Sequence, residues 1–220
     1  LGQFSNINNA QDIISALFMQ TGNPLIKEIN GSFVAVLDGN TTRNLGSVLK
    51  FYTDFADSLS SVYSWNKSMA SSLDAFSANN LAFYFGFASE LKSLMDKNPN
   101  QDFLVAPFPQ LKNSATKITS ARVTGIAISS ASKNFTAAST VAHLLASGDF
   151  AAQLAINLRI VPARRDLFNQ KFNDSFSPVF YNSALYARSW LDPAPRSTQD
   201  IFRGMVEKVL ANSMSPDGAI

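Results

Sequence analysis

Ser5-Asn6-Ile7-Asn8-Asn9-Ala10-Gln11-Asp12-Ile13-Ile14-Ser15-Ala16-Leu17-Phe18-Met19-Gln20-Thr21-Gly22 is the stretch on which the fold turns. Its first half is a run of amides. Its second half places Ile13, Ile14, Leu17 and Phe18 at three- and four-residue spacing, the mark of a helix with one apolar face. Thr21-Gly22-Asn23-Pro24 ends that helix, because glycine and proline cannot continue it. The spacing predicts a helix over 10–20 presented by an amide-rich loop.

Outward from this block the pattern alternates. Leu25–Ile29 and Ser32–Leu37 read as strands about the Asn30-Gly31 turn, with Asp38-Gly39 closing the region. Leu45, Val48, Leu49, Tyr52, Phe55 and Leu59 predict an amphipathic helix from about Thr42 to Ser61. A short helix over Met69–Phe76 follows. Leu81–Phe85, Phe103–Pro109 and Arg122–Ser129 read as strands by their aromatic and branched residues, and a helix over Phe87–Met95 stands among them. Further helices are expected over Phe135–Ala146, Phe150–Leu158, Arg165–Phe168, Val179–Trp190 and Thr198–Asn212. Strands in front and helices behind predict an α/β protein.

The 220 residues, 46% of them hydrophobic, supply a core of one large domain or two lobes. A net charge of +2 and scattered lysines and arginines give no electrostatic footprint for nucleic acid. With no cysteine there is no disulfide framework and no thiolate metal site. No apolar run is long enough for a membrane span. Leu1 is not a starting methionine and no signal peptide follows it, which fits a chain that begins partway through a longer protein. The Asn-x-Ser/Thr triplets at Asn30, Asn40, Asn66, Asn134 and Asn173 are expected by chance in so Asn- and Ser-rich a chain.

Catalytic signatures are missing. The single histidine, His143, lies in an apolar helical stretch and reads as a packed residue. No Gly-x-Ser-x-Gly elbow, phosphate loop or dinucleotide fingerprint occurs, so no cofactor is implied. Paired carboxylates among the 16 acids leave a carbohydrate-active enzyme, or an accessory carbohydrate-binding module, as the alternative. A helical interaction domain is the third reading.

Three blocks in order resemble the extracellular solute-binding proteins of family 1, which serve ABC importers. They are Ser5–Gly22; Asp74-Ala75-Phe76 through Phe83-Tyr84-Phe85-Gly86-Phe87; and Phe103–Pro109 followed by Thr124–Ser129 and Ser132-Lys133-Asn134. The resemblance implies a type II periplasmic-binding-protein-like fold, of which this chain holds the second lobe plus crossing strands and terminal helices. Residues 1–100 would be that lobe, 101–148 would cross back toward an absent first lobe, and 149–220 would be helical. It also implies a monomer, extracellular or periplasmic and lipid-anchored through a missing segment. Such a protein captures a sugar or similar polar solute in a cleft between lobes and delivers it to a membrane permease.

Sugar recognition joins planar amides and carboxylates, which pair with hydroxyls, to aromatic faces that pack on the ring. Asn6, Asn8, Asn9, Gln11 and Asp12 supply the polar groups; helix capping explains Asn8 or Asn9 equally well. Trp65, in the polar loop Ser64-Trp65-Asn66, is either a stacking residue or a lid over a helix end. Tyr84, Gly86, Phe87 and Ser89 fall where the family's strand-to-helix turn faces its ligand. Arg122 is either a hydroxyl donor or a surface charge. Tyr181 matches a position where the family places an aromatic, although such stripes also form helix cores.

Overall fold

The computed structural model describes residues 1–37, 45–112, 116–169 and 172–220. The Asp38-Gly39 turn, the sequon at Asn40 and the expected helix start at Thr42 lie outside these residues.

The first helix, α1 (Ala10–Gln20), is the one the spacing predicts, and nine of its eleven residues are buried. Asn30 and Gly31 both take positive φ, 52° and 77°, which is the backbone of a tight hairpin turn. They join β1 (Ile26–Ile29) to β2 (Ser32–Ala35) in antiparallel register, with Ile29 opposite Ser32. Then come α2 (Leu45–Asp54), α3 (Ser72–Ser77), a 3-10 turn at Ala88–Glu90 and α4 (Leu91–Lys97). A two-residue strand β3 (Thr119–Ser120) precedes α5 (Phe135–Leu145), α6 (Gly148–Leu158), a 3-10 turn at Arg165–Leu167 and α7 (Ser177–Ala184). The chain ends with β4 (Ala187–Arg188), parallel to β3, and α8 (Pro195–Leu210).

Three expected strands are not strands. Leu81–Phe85, Phe103–Pro109 and Arg122–Ser129 belong to neither sheet. Their side chains suit a pleated surface, but a strand exists only through a partner's backbone, which local sequence does not specify. The helix expected over Val179–Trp190 also stops early. Leu185 caps α7, and the Tyr186 carbonyl accepts the Thr119 N–H at 3.4 Å, turning the chain into β4. The helix expected from Met69 begins at Ser72. There the Ser71 hydroxyl accepts the Asp74 N–H at 3.1 Å and donates to its carboxylate at 2.6 Å.

The described chain packs as two compact units. The first takes in Leu1–Gly86, Phe108–Ser120 and Tyr186–Ile220, and the second Phe87–Pro107 and Ala121–Leu185. These boundaries differ from the sequence division at residues 100 and 148, because sequence neighbours at 87–107 and 186–220 pack with distant stretches.

The core of the first unit gathers around α1. Phe18, Leu49, Tyr52, Phe202 and Val206 are almost fully enclosed, and the Phe18 and Phe202 rings lie 6.3 Å apart. Gly46 matters for packing: a Cβ there would meet the Asp217 side chain at 1.9 Å, so only glycine lets the terminal turn lie on α2. The second unit buries far less, with Leu91, Leu94, Ala155 and Pro162 as its enclosed apolar residues among those described. Within it Phe103 packs on Phe176 at 5.6 Å.

Tyr52 donates its hydroxyl to the Gln3 carbonyl at 2.7 Å, and burial pushes its pKa up. Tyr52→Phe strands that buried carbonyl and should cost about 1–3 kcal/mol. Leu49→Ala, which opens a cavity in the same layer, should cost about 2–5 kcal/mol. Thermal unfolding checks both, at about 2–4 °C of midpoint per kcal/mol for a chain of this size.

Candidate functional site

The amide loop at residues 6–9 is held by its own side chains. Asn6 Nδ2 donates to the carbonyls of Asn66 (2.9 Å) and Met69 (3.1 Å), and Asn6 Oδ1 accepts the Trp65 indole N–H at 3.0 Å. Asn8 Oδ1 accepts the Ser72 hydroxyl at 3.0 Å and the Leu73 N–H at 3.1 Å. Asn8 therefore caps a helix, but that helix is α3, more than sixty residues along the chain, not α1. Asn9 is the residue before α1 and adopts the left-handed conformation, φ 58°, which asparagine tolerates better than most residues. Its side chain leaves the helix end uncapped and donates instead to the Phe85 carbonyl at 3.3 Å.

Trp65 is 4% exposed and belongs to the core. Of its two sequence readings the structure takes the lid over packed helices. A side chain so enclosed presents no face to a solute.

Gln11 and Asp12 remain half-buried in the first turn of α1. The Asp12 carbonyl accepts the Ser120 hydroxyl at 2.8 Å, which ties β3 to this turn. Tyr84, also half-buried, stacks on Phe76 at 5.6 Å, and Phe85 meets Phe108 edge-on at 5.5 Å. Phe83 projects outward at 82% exposure. The aromatic run thus anchors through Tyr84 and Phe85 without forming a strand. Gly86 is exposed beside them.

The second unit holds the remaining candidates. The Arg122 guanidinium lies 4.3 Å over the Phe87 ring, a cation–π contact that presents both at the surface. Ser89 is exposed in the 3-10 turn. Tyr181 sits on α7 between Phe168 (5.3 Å) and Phe172 (4.6 Å), and burial pushes its phenol pKa up. Those two phenylalanines were not singled out from the sequence; only their nearness to Tyr181 in the fold marks them.

Sequence reasoning also missed Gln20. It is 5% exposed; its Nε2 donates to the Pro109 and Ile118 carbonyls, both at 2.9 Å, and its Oε1 accepts the Leu111 N–H at 3.2 Å. Gln110 stitches the same loop, donating to Ile118 O and accepting its N–H. His143 is exposed, not packed, with its Nδ1–H donating to the Ser139 carbonyl at 2.8 Å. Among the described residues no cluster of three His, Asp or Glu could hold a metal ion, and no helix is long and apolar enough to cross a membrane.

The fold is that of the type II periplasmic binding proteins. The chain is similar to the maltose-maltodextrin binding protein of Alicyclobacillus acidocaldarius, with a TM-score of 0.68, 18% identity and 94% of this chain covered. It is likewise similar to an ABC transporter solute-binding protein of Thermotoga lettingae TMO bound with α-D-tagatose, with a TM-score of 0.65, 19% identity and 99% covered. The match spans 58% and 56% of those two chains. No family model and no curated protein sequence matches the chain. The structural neighbours are binding proteins, not enzymes.

Asn6→Ala removes three hydrogen bonds around a buried indole. It should cost about 1–3 kcal/mol and change the emission of Trp65, read by fluorescence during unfolding. Asp174 gives a pH test. Burial pushes its carboxyl up, but hydrogen bonds from the Ser177 N–H and hydroxyl and the Phe176 N–H outweigh this and hold it below the ordinary aspartate value. The ionised group therefore stabilises the start of α7 above its unfolded pKa of about 3.9, and the gain fades as pH falls through the lower folded value. In denaturant titrations Asp174→Asn should be less stable than wild type at pH 7, with the gap closing in acid.

Proposed function

We propose that this chain is part of an extracellular solute-binding protein that captures a carbohydrate or similar polar solute for an ABC permease. The observation that carries the reading is the fold match over nearly the whole chain to a maltose-maltodextrin binding protein. The surface chemistry supports it. Gln11 and Asp12 at the start of α1 offer an amide and a carboxylate suited to vicinal hydroxyls. In the same unit Tyr84 offers a ring face; in the second unit, taken by itself, Phe87 and Tyr181 offer ring faces and Ser89 and Arg122 offer donors. Asn6, Asn8, Asn9 and Trp65 serve Gln11 and Asp12 indirectly by fixing the loop before α1. Release outside the cell, anchoring by lipid and a monomeric state follow from the same reading.

The alternative, a carbohydrate-active enzyme, separates from this one by turnover. In thermal denaturation of the full-length gene product, a cognate sugar at about one hundred times its Kd adds roughly 2.7 kcal/mol. That raises the midpoint by about 3–5 °C for a product nearly twice this length, and the sugar is recovered unchanged. Asp12→Asn should weaken that sugar by about 1.5–3 kcal/mol, or roughly 10- to 150-fold in Kd, read against the variant's own ligand-free midpoint. A flat response to mono- and oligosaccharides by a cooperatively folded protein refutes sugar capture; consumption of the sugar turns the assignment to catalysis.

A further inference from the structure

Asn30-Gly31 is the one place in the sequence where glycine follows asparagine, and it forms the tip of the β1–β2 hairpin. Both residues are exposed, and a Cβ built on Gly31 would meet nothing within 4 Å among the described residues, so the tip stands open to water. Neither the Gly31 N–H nor the Asn30 side-chain amide makes a hydrogen bond among the described residues. Below the tip the ladder is thin. All four residues of β2 and three of the four in β1 are exposed, and a two-stranded hairpin without a buried face is marginally stable by itself. Its base is held by Leu25, which is buried and accepts the Val36 N–H at 3.0 Å. The tip can therefore open locally while the rest of the unit stays folded.

An asparagine before glycine carries an electrophile and a nucleophile on adjacent residues. Asn30 Cγ is the electrophile. The Gly31 nitrogen, once base has removed its proton, is the nucleophile, and glycine has no Cβ to shield it. We propose that Asn30 is a site of spontaneous deamidation through a succinimide, gated by opening of the hairpin tip. Opening lets the peptide unit between Asn30 and Gly31 rotate toward the side chain. The bond from Gly31 N to Asn30 Cγ then forms, the Cγ–Nδ2 bond breaks, and ammonia leaves with the proton that the Gly31 nitrogen gave up. Water next adds to one of the two ring carbonyls. Addition at the Asn30 main-chain carbonyl leaves isoaspartate, with the backbone running through Cβ; addition at Cγ leaves aspartate. Water is the only co-reactant. Either product makes the neutral tip anionic and lowers the net charge of +2 by one. Isoaspartate also adds a methylene to the main chain of the turn that sets Ile29 opposite Ser32, so the hairpin loses that register.

Asn212 is an internal control. It is exposed and shares the left-handed backbone, φ 53°, but it precedes Ser213, whose N–H donates to the Lys208 carbonyl at 3.0 Å. The full-length gene product, incubated at neutral and at mildly alkaline pH, is digested and mapped by mass spectrometry beside a synthetic peptide spanning residues 26–35. Asn30 should convert faster than Asn212, with isoaspartate exceeding aspartate and a rate that rises with hydroxide. Its rate in the folded protein should lie within roughly 30-fold of the peptide's, the margin of a low-cost local opening. Asn30→Gln, whose longer side chain closes such a ring far less readily, should leave that stretch unchanged in mass. A folded rate below that margin overturns the proposal, because the closed turn then protects the amide. Conversion no faster than at Asn212 also overturns it, as does aspartate without isoaspartate, the mark of direct hydrolysis. None of these readouts involves a sugar, so the proposal stands or falls apart from the functional reading.

Discussion

Burial of α1 is the constraint that organises the first unit. A helix with nine of eleven residues out of solvent has almost no face left for water, so it needs neighbours on every side. α2 supplies Leu45, Val48, Leu49 and Tyr52, and α8 supplies Phe202, Met205 and Val206. Trp65 closes one end, pinned by Asn6. At the other end Gln20 cannot reach water and takes its hydrogen bonds from the 109–118 segment. A buried amide left unpaired would be costly, so this one residue dictates where a distant stretch of chain returns.

The sequence was most legible where structure is local. The bounds of α1 could be read from its apolar spacing and the Gly-Asn-Pro that follows, and the hairpin from Asn30-Gly31. The α/β class also follows from the order of elements, and the type II binding-protein fold from the resemblance of three sequence blocks to the family 1 solute-binding proteins. Strands were misread for a reason that periodicity cannot repair. Phe103–Pro109 and Arg122–Ser129 have the side chains of strands, yet a ladder requires a second backbone. For Val179–Trp190 the helical pattern continued past Leu185, but pairing of Ala187 with Thr119 won the last residues for a strand.

The polar loop before α1 was legible in position more than in role. The stretch from Asn6 to Asp12 is indeed a polar loop opening a helix, but the same amides that suit sugar hydroxyls suit backbone groups equally well. Asn6, Asn8 and Asn9 spend theirs on Asn66, Met69, Ser72, Leu73 and Phe85. Trp65 illustrates the same ambiguity: a tryptophan flanked by Ser64 and Asn66 looks exposed in one dimension and is enclosed in three. Phe168 and Phe172 escaped notice because their relation to Tyr181 is spatial.

The three-part composition of the first unit also fixes the order in which it can be completed. α1 and α8 lie far apart in this sequence, and Phe18 reaches its neighbour Phe202 only after the intervening 121–185 stretch has left for the second unit and returned. On the ribosome, α1 emerges well before α8 and keeps an apolar surface uncovered until that helix is synthesised. Contacts of such sequence separation fold slowly and leave their partners open to aggregation in the meantime. Synthesis of this chain thus passes through a long interval in which its most buried helix needs shelter, and that interval ends only with α8.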